Sequence, residues 1–423
     1  MIDAHVENLN GLTLETMKNT FFTGLAALGE RKRVLLIPPD ITRLHGLGGT
    51  LAVWAVEYYG DNVKAILPAL GTHVAMTDAE LDIMFPGVDH KLFAVHDWRN
   101  DIVTLGTVPA ELVEKLSEGK LSWPWKAQVN KRLASGDYDL ILSLGQVVPH
   151  EVIGMANYNK NIFVGTGGSE GINRSHYLGA VYGMERIMGR ADSPVRAIMD
   201  YAQEHFIGDI PLSYALTVVG RDKQGEMRPM GLFMGSGRQC FEEASRVSLL
   251  ANFTMVDKPL EKVVVYLDSG EFRTTWLGNK SIYRTRMAIA DGGELIVLAP
   301  GVHKFGEDNE IDRLIRKYGY KGTPAVLRAV DENEELRNNL SAAAHLIHGS
   351  SEDRFTIRYC PGHLTRQEVE SVGYQWGDLQ SMLANYPRET MRDGWNIAAD
   401  GSSFYYIANP AVGLWAHAGR FNR

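Results

Sequence analysis

Short apolar runs alternate with amphipathic segments along the first 150 residues, and this alternation constrains the fold more than any other feature of the sequence. The apolar runs, which are typical of buried parallel strands, are KRVLLIPPD, VKAILPALGTH, KLFAVHD and DYDLILSLGQ, beginning at residues 32, 63, 91 and 137. Between them, TLAVWAVEYYG and PAELVEKLSEG have the spacing of amphipathic helices. Strands that alternate with helices form parallel sheets, so we predict an α/β fold.

The length of the chain and a second set of strand-like runs predict two α/β domains. A chain of 423 residues is too long for one ordinary hydrophobic core. The strand pattern restarts at EKVVVYLDSG and GELIVLAPG. We therefore predict a catalytic and cofactor-binding domain over residues 1–258, a second domain over 259–395 and an active-site cleft between them, with mainly parallel sheets in both. The tail, residues 396–423, is predicted to pack back on the first domain.

The composition argues against several partners and locations. A net charge of −8 offers no basic surface for nucleic acid. The N-terminus lacks a signal-peptide pattern and no window of about 18 uninterrupted apolar residues occurs, so we expect a cytoplasmic protein without membrane contact. Cys240 and Cys360 have no CxxC partner and are expected to be reduced thiols.

Polar residues follow the predicted strands, at the edge where α/β sheets bind ligands. Two histidines on different loops can serve as a paired acid and base, because the imidazole pKa lies near neutrality, and His73 and His150 are such a pair. Arg43 suits a substrate carboxylate or a phosphate, with a solvated arginine as the alternative. The residues at this edge are Asp40, Thr42, Arg43, His73, His96, Asp97 and His150.

Lys160 follows His150 by ten positions in a segment with little other charge. A desolvated lysine becomes a nucleophile, so Lys160 is a candidate attachment point, with a solvated lysine as the alternative. The glycine-rich run GTGGSEGINRSH, which begins at residue 165, is able to approach a phosphate but is not the GxGxxG dinucleotide fingerprint. His345 and His348 lack a third ligand nearby and are interpreted as a helix face rather than a metal site.

Taken together, six motifs resemble the nickel-dependent lactate racemase family. They occur in the order PPDITRLHG, LPALGTHVAMTDAEL, HDWRND, VVPHEVIG, NYNKNIFVG and INRSH. The family has a DxTR turn, a GTHxxMTxxEL segment, a PH loop, a lysine ten residues later and a further histidine sixteen residues beyond it. His150, Lys160 and His176 have this spacing, and the resemblance is strong over residues 34–176.

The resemblance implies two α/β domains, a 2-hydroxy acid substrate and a nickel-pincer nucleotide supplied by cofactor-maturation enzymes. Lys160 matches the lysine that tethers this cofactor, and His176 matches the protein ligand of nickel. His73 and His150 match the two catalytic bases, one on each side of the substrate. By the same resemblance, Asp40 and Thr42 line the cofactor, and Arg43 contacts the substrate carboxylate.

In the second domain the resemblance is weaker. Lys280 in WLGNK matches a substrate-holding lysine, and Trp376 matches a tryptophan near the cofactor, with a core tryptophan on an amphipathic helix as the alternative. The family's glycine-rich GGRK reads ANYNK here, and Leu277 replaces a substrate-holding glutamine. These departures predict a substrate larger or more polar than lactate, such as a malate-like acid or a sugar acid.

Two other functions were weighed against a racemase or C2 epimerase. One is a catalytically inactive homologue that keeps the fold and binds a cofactor or metal. The other is an NAD-dependent dehydrogenase, but this would need a GxGxxG run after a strand, and none is present. The oligomeric state is left open.

Overall fold

The computed structural model describes residues 1–6 and 8–422, and the chain divides into two compact units. The first unit comprises residues 1–178 and 187–252, and the second comprises residues 179–186 and 253–423. The first unit therefore ends six residues before the predicted boundary at 258, and a short internal segment groups with the second unit.

The first unit is built around a six-stranded sheet. The strands of this unit, inside and outside that sheet, are β1 (Ile2–His5), β2 (Val34–Ile37), β3 (Val63–Ile66), β4 (Ile102–Val108), β5 (Trp125–Asn130), β6 (Leu140–Gln146), β7 (Pro149–His150), β8 (Gly154–Met155), β9 (Leu212–Arg221) and β10 (Met227–Gly235). Its helices are α1 (Leu14–Ala27), α2 (Gly48–Tyr59), α3 (Asp78–Met84), α4 (Ala110–Leu116), α5 (Ser169–Tyr182), α6 (Met184–Ile187), α7 (Pro194–Phe206) and α8 (Arg238–Asn252), of which α5 and α6 extend into the segment that groups with the second unit.

The order of the main sheet is β1-β10-β9-β6-β2-β3, and the four strands from β9 to β3 are parallel. β2 lies inside this sheet and is buried along its whole length. Leu35 and Ile37 point into one apolar cluster, while Val34 and Leu36 point into another on the opposite face. Burial on both faces explains why this strand is a continuous apolar run rather than an alternating one.

The second unit contains another six-stranded sheet, in the order β15-β14-β13-β12-β17-β16. The strands of this unit, inside and outside that sheet, are β11 (Phe253–Val256), β12 (Leu260–Tyr266), β13 (Ile289–Ala299), β14 (Thr356–Pro361), β15 (Gln375–Trp376), β16 (Gly394–Ile397), β17 (Ser403–Ile407) and β18 (Leu414–His417). Its helices are α9 (Thr275–Gly278), α10 (Lys280–Tyr283), α11 (Asn309–Tyr318), α12 (Thr323–Glu332), α13 (Glu334–Arg337), α14 (Leu340–His348), α15 (Arg366–Ser371), α16 (Leu379–Asn385) and α17 (Ala418–Phe421).

The α/β fold class with mainly parallel sheets is confirmed, but one predicted strand is wrong. KLFAVHD does not form a strand: it contains a 3-10 turn, His90–Leu92, and one bridge from Phe93 to Ile66. Phe93 packs its ring 4.9 Å from that of Phe85 instead of extending the sheet edge. The tail contributes two strands to the second unit: β17 pairs with β12, and β18 pairs with β11.

Two further observations bear on the sequence analysis. Among the described residues, no helix combines the length and apolar character needed to span a membrane.

Cys240 and Cys360 are free and buried, and burial raises the pKa of each thiol to about 12. Both cysteines therefore stay protonated at neutral pH, in agreement with the prediction of reduced thiols.

Gly167, which precedes α5, lies in a tightly packed part of the first unit, and a substitution at this position tests that packing. A Cβ atom at this position would lie 2.0 Å from the Phe163 carbonyl oxygen, so we expect Gly167→Ala to lower the free energy of unfolding by about 1–3 kcal/mol. Gly235→Ala is the matched control, because its Cβ would make only ordinary van der Waals contacts, with the Cys240 side chain from 3.5 Å and with Met1 Cα at 3.9 Å. Urea unfolding checks this, and equal stability of the two variants would contradict it.

Candidate active site

Three loops that follow parallel strands carry most of the predicted site residues. β2 leads into Asp40, β3 into His73 and β6 into His150. Because these three strands run parallel, their carboxyl ends lie at one edge of the sheet, which is the usual ligand-binding edge of α/β proteins. The side chains thus approach one another although they are far apart in the sequence.

Asp40 and His73 make the most direct contact at this edge. Asp40 Oδ2 lies 2.5 Å from His73 Nδ1, and Oδ1 accepts hydrogen bonds from the Thr42 backbone N–H at 3.2 Å and hydroxyl at 2.5 Å. Burial by itself raises the pKa of Asp40, but the charge of His73 and the hydrogen bonds from His73 and Thr42 outweigh it and leave the pKa lowered. Asp40 is therefore a buried carboxylate that orients the imidazole and stabilises its protonated form.

Arg43 lies in the 3-10 helix Ile41–Gly46, directly after Asp40. Its backbone, with φ −117° and ψ 27°, departs from helical geometry and kinks the helix. The Thr217 hydroxyl donates to the Gly46 carbonyl at 2.5 Å and holds this helix to β9. The charge of the half-buried guanidinium lowers the pKa values of Asp40 and Lys160, so Arg43 lies within electrostatic reach of both.

His150 lies in a tight hairpin formed by β7 and β8 and is buried. Its Nδ1 accepts a hydrogen bond from the Val152 backbone N–H at 3.1 Å. Glu151 Oε2 lies 3.4 Å from Nδ1 and supplies a countercharge when the ring is protonated. His150, like His73, thus has a carboxylate beside its ring.

Lys160 immediately precedes a π-helical turn, Asn161–Gly165, a geometry that is often found at functional sites. Its side chain is half-buried, and within the described part of the chain Nζ makes no ion pair or hydrogen bond. Burial, reinforced by the charges of Arg43 and Arg196, lowers the pKa of Lys160 to about 8, although Glu151 opposes this shift. A substantial fraction of this amine is therefore neutral at mildly alkaline pH, as nucleophilic attack requires.

The π-helical turn is anchored at both ends. Asn161 Nδ2 donates to the Ile37 carbonyl at 3.2 Å and to the Ser143 hydroxyl at 2.9 Å, which ties the start of the turn to β2 and β6. At the other end, the Gly71 N–H donates to the Gly165 carbonyl at 2.8 Å. Because Gly71 belongs to the loop after β3, this turn joins β2, β6 and that loop.

His176 lies on α5, and its ring orientation suits metal binding. Its Nδ1 donates to the Ile172 carbonyl at 2.7 Å, which leaves the imidazole lone pair on Nε2. Metal-binding histidines commonly have this arrangement. Among the described residues, no group of three or more His, Cys, Asp and Glu side chains could hold a metal ion. A metal at His176 would therefore need further ligands from a bound group.

The residues in front of Lys160 do not line an open pocket. Tyr158 and Asn159 are 2% and 0% exposed, and Tyr158 stacks on Phe241 with ring centroids 5.2 Å apart. Asn159 Nδ2 donates to Asp200 at 2.7 Å. The residues that differ from GGRK therefore lie in the core, and the sequence ANYN does not support the prediction of a larger substrate.

Arg196 of α7 holds this segment, although no sequence motif points to it. Its guanidinium donates to the Met155 carbonyl at 2.7 Å, to the Asn157 carbonyl at 3.3 Å and to Asn159 Oδ1. Asn157 and Tyr158 have φ angles of 64° and 59°, which are uncommon outside glycine. A single arginine in an amphipathic helix looks solvent-exposed, so only the tertiary contacts identify it.

His96, Asp97 and the glycine-rich run have structural roles in this fold. His96 is buried, with Nε2 donating to the Gly167 carbonyl at 3.0 Å and Nδ1 accepting from Asn130 at 3.1 Å. Asp97 accepts backbone hydrogen bonds that close the following turn. A Cβ on Gly168 would lie 2.5 Å from a neighbouring side chain, so this glycine permits close packing.

Lys280, Trp276 and Trp376 lie in the second unit. Lys280 begins α10, with Nζ 5.5 Å from the centre of the Phe272 ring. Trp276 stacks on His345 with ring centroids 4.4 Å apart. Trp376 forms part of the short edge strand β15 and is half-buried there, so the alternative of a tryptophan on an amphipathic helix is wrong.

His345 and His348 lie on α14, as the helix-face interpretation predicts. Both are buried, and burial lowers the pKa of each to about 3. His345 Nε2 lies 3.0 Å from the Tyr320 hydroxyl. Neutral, packed rings are consistent with a role in the core of the second unit.

Comparison with known proteins shows which proteins this chain resembles. Residues 23–187 match the family model described as the lactate racemase N-terminal domain, which confirms the predicted resemblance to the lactate racemase family. No curated protein matches the chain. A crystal structure of a Thermotoga maritima protein, 22% identical, covers 98% of this chain and 100% of its own, with a TM-score of 0.81. Lactate racemase apoprotein from Thermoanaerobacterium thermosaccharolyticum, 15% identical, covers 97% and 95%, with a TM-score of 0.70. At these identities the two structures show a shared fold.

Asp40→Asn tests the buried pair. The folded-state pKa of Asp40 lies below its ordinary value of 3.8, so its charge stabilises the fold above that pH and ceases to do so as the pH falls through the lowered value. We expect the variant to be about 1–3 kcal/mol less stable near neutrality, with a smaller difference in acid. Urea unfolding at several pH values measures this, with exposed Asp209→Asn as the control. A difference that is independent of pH would contradict the assignment.

Proposed function

We propose that this chain, whose residues 23–187 match the lactate racemase N-terminal domain, is a racemase or C2 epimerase of a 2-hydroxy acid that uses a nickel-pincer nucleotide. The observation that best supports this is the grouping of the Asp40–His73 pair with a poorly solvated amine, that of Lys160, at one sheet edge. The Asp40–His73 pair is suited to proton transfer, and the amine of Lys160 is suited to covalent attachment.

The residues present suit this cofactor. The amine of Lys160 is partly neutral at mildly alkaline pH, as attachment requires, and His176 has a fixed tautomer with Nε2 as the metal-binding atom. The proposal assigns Asp40, Thr42 and Trp376 to the walls of the cofactor site. When bound, the cofactor supplies a reversible acceptor for the hydride at C2 of the substrate.

His73 and His150 are the proposed bases. Loss of hydride from C2 is coupled to loss of the hydroxyl proton, because the carbon becomes a carbonyl. A substrate of either hand must meet a base at its hydroxyl, so interconversion needs two bases. Asp40 beside His73 and Glu151 beside His150 stabilise the positive charge that each ring acquires with the proton. The base on one side accepts the hydroxyl proton of one enantiomer, and the base on the other side, in its protonated form, donates a proton to the oxygen when the opposite enantiomer forms.

Arg43 is the proposed contact for the substrate carboxylate, since a guanidinium forms paired hydrogen bonds with a carboxylate. Lys280 is assigned to the substrate as well. Leu277 cannot donate the hydrogen bonds of the glutamine found in the family, so the substrate class includes dicarboxylic and polyhydroxy acids beside lactate. The buried ANYN segment gives no support to one size of substrate over another.

Covalent attachment is tested on protein matured with the cofactor-synthesising enzymes and nickel. We expect the mass of one cofactor on Lys160, found by intact mass and peptide mapping, because this amine is poorly solvated. Lys160→Ala should lose it, and Lys64→Ala, which removes an exposed lysine, should keep it. His176→Ala should keep the added mass but lose nickel by metal analysis. Added mass on another lysine would contradict the assignment.

The activity is tested with single-enantiomer 2-hydroxy acids of short, dicarboxylic and polyhydroxy types. Loss of optical purity with the loaded protein is the expected result. No inversion of any acid, with the cofactor verified on Lys160, would rule out the racemase and favour the catalytically inactive homologue.

The two bases are tested separately by His73→Asn and His150→Asn. Because general acid–base catalysis contributes about 100- to 10,000-fold, we expect each variant to lose at least about 100-fold of the racemisation rate in both directions. His205→Asn, at an exposed histidine of α7, is the control and should keep its rate. Full interconversion in either active-site variant would refute the two-base mechanism.

A further inference from the structure

The Arg196 guanidinium lies at the centre of a buried polar network beneath the lysine segment. Arg196 is 0% exposed and contacts both Met155 and Asn157 through their carbonyl oxygens. Its hydrogen bond to Asn159 continues to Asp200, which also pairs with Arg238 of α8. A chain of contacts therefore runs from α8 through α7 to the residue before Lys160.

Burying the positive charge of Arg196 costs free energy of folding, and the need for hydrogen bonds to main-chain carbonyl groups does not by itself explain why a charged residue lies here. Neutral donors can satisfy main-chain carbonyl groups, whereas a buried guanidinium loses its hydration. Burial lowers the pKa of Arg196 only to about 10, so it stays protonated at neutral pH. Its Nε has no hydrogen-bond partner among the described residues, which adds to the cost.

The charge acts on the neighbouring amine. Four charged groups affect Lys160 from the elements around it: Arg43 from the 3-10 helix, Glu151 from the hairpin, Arg196 from α7 and Asp40 from the end of β2. The two arginines favour the neutral amine, and the two carboxylates favour the ammonium form. Without Arg196, Arg43 would lower the pKa of Lys160 by its charge, whereas Glu151 and Asp40 would both raise it.

We propose that Arg196 is the positioning residue of Lys160: its hydrogen bonds hold the left-handed backbone at Asn157 and Tyr158 that precedes the lysine, and they place a buried positive charge beneath the lysine segment. The inference deepens the proposed function, on which it rests for the use of the Lys160 amine. Because the amine is present without the cofactor, its reactivity is measurable independently of catalysis.

The test is competitive labelling of the chain, without cofactor, by trace acetic anhydride across a pH series. Peptide mass spectrometry gives the reactivity of each lysine, with exposed Lys64 as the internal standard. We expect a midpoint near pH 8 for Lys160 in the unaltered chain. Arg196→Gln should raise the midpoint by about one pH unit, the scale expected when a nearby like charge is lost. Arg196→Lys keeps the charge and should restore most of the shift.

A purely structural role would change the stability of these variants but not the order of their Lys160 midpoints. Should Arg196→Gln fail to fold, as judged by circular dichroism, Asp200→Asn replaces it. Loss of that carboxylate leaves the Arg196 charge less compensated, so the Lys160 midpoint should fall. An unchanged midpoint in the folded variant overturns the proposal. A matured protein without cofactor on Lys160 would instead overturn the proposed function and leave the labelling result standing.

Discussion

Burial of β2 on both faces is the constraint on which the first unit depends. A strand enclosed by two apolar clusters must satisfy its backbone through parallel neighbours, β3 on one side and β6 on the other. Parallel neighbours end at the same edge, so the loops after all three strands meet there. The contact between Asp40 and His73, 33 residues apart, follows from this arrangement.

Electrostatic balance at this edge comes from groups that are far apart in the sequence. Asp40 keeps its charge in a buried position because His73 and Thr42 compensate for lost hydration. Lys160, by contrast, is surrounded by both signs of charge and its pKa is lowered. One fold therefore keeps a carboxylate ionised and allows an amine to become neutral nearby, which are the conditions for proton transfer and covalent attachment.

Much of the architecture was predictable because the relevant signals are local. The buried parallel strands β2 and β6 are short, largely apolar runs, the last five residues of β13 are an apolar run, and α2 has a helical period. KLFAVHD has the same apolar character but lies beside the edge strand β3, where only one bridge forms. Strand β17 joins the second sheet by pairing in parallel with β12, which is more than 130 residues earlier in the sequence, and no local pattern specifies this pairing.

The candidate site divides in the same way. The ends of strands and the local composition pointed to His73, His150 and Lys160, and the family resemblance added His176, since those signals lie along the chain. Tertiary structure alone decided that Tyr158 and Asn159 are buried, that His96 supports a loop and that Arg196 lies beneath the lysine segment. The physical reason is that burial and charge compensation depend on which distant side chains fill the surrounding space, and a linear pattern does not contain this information.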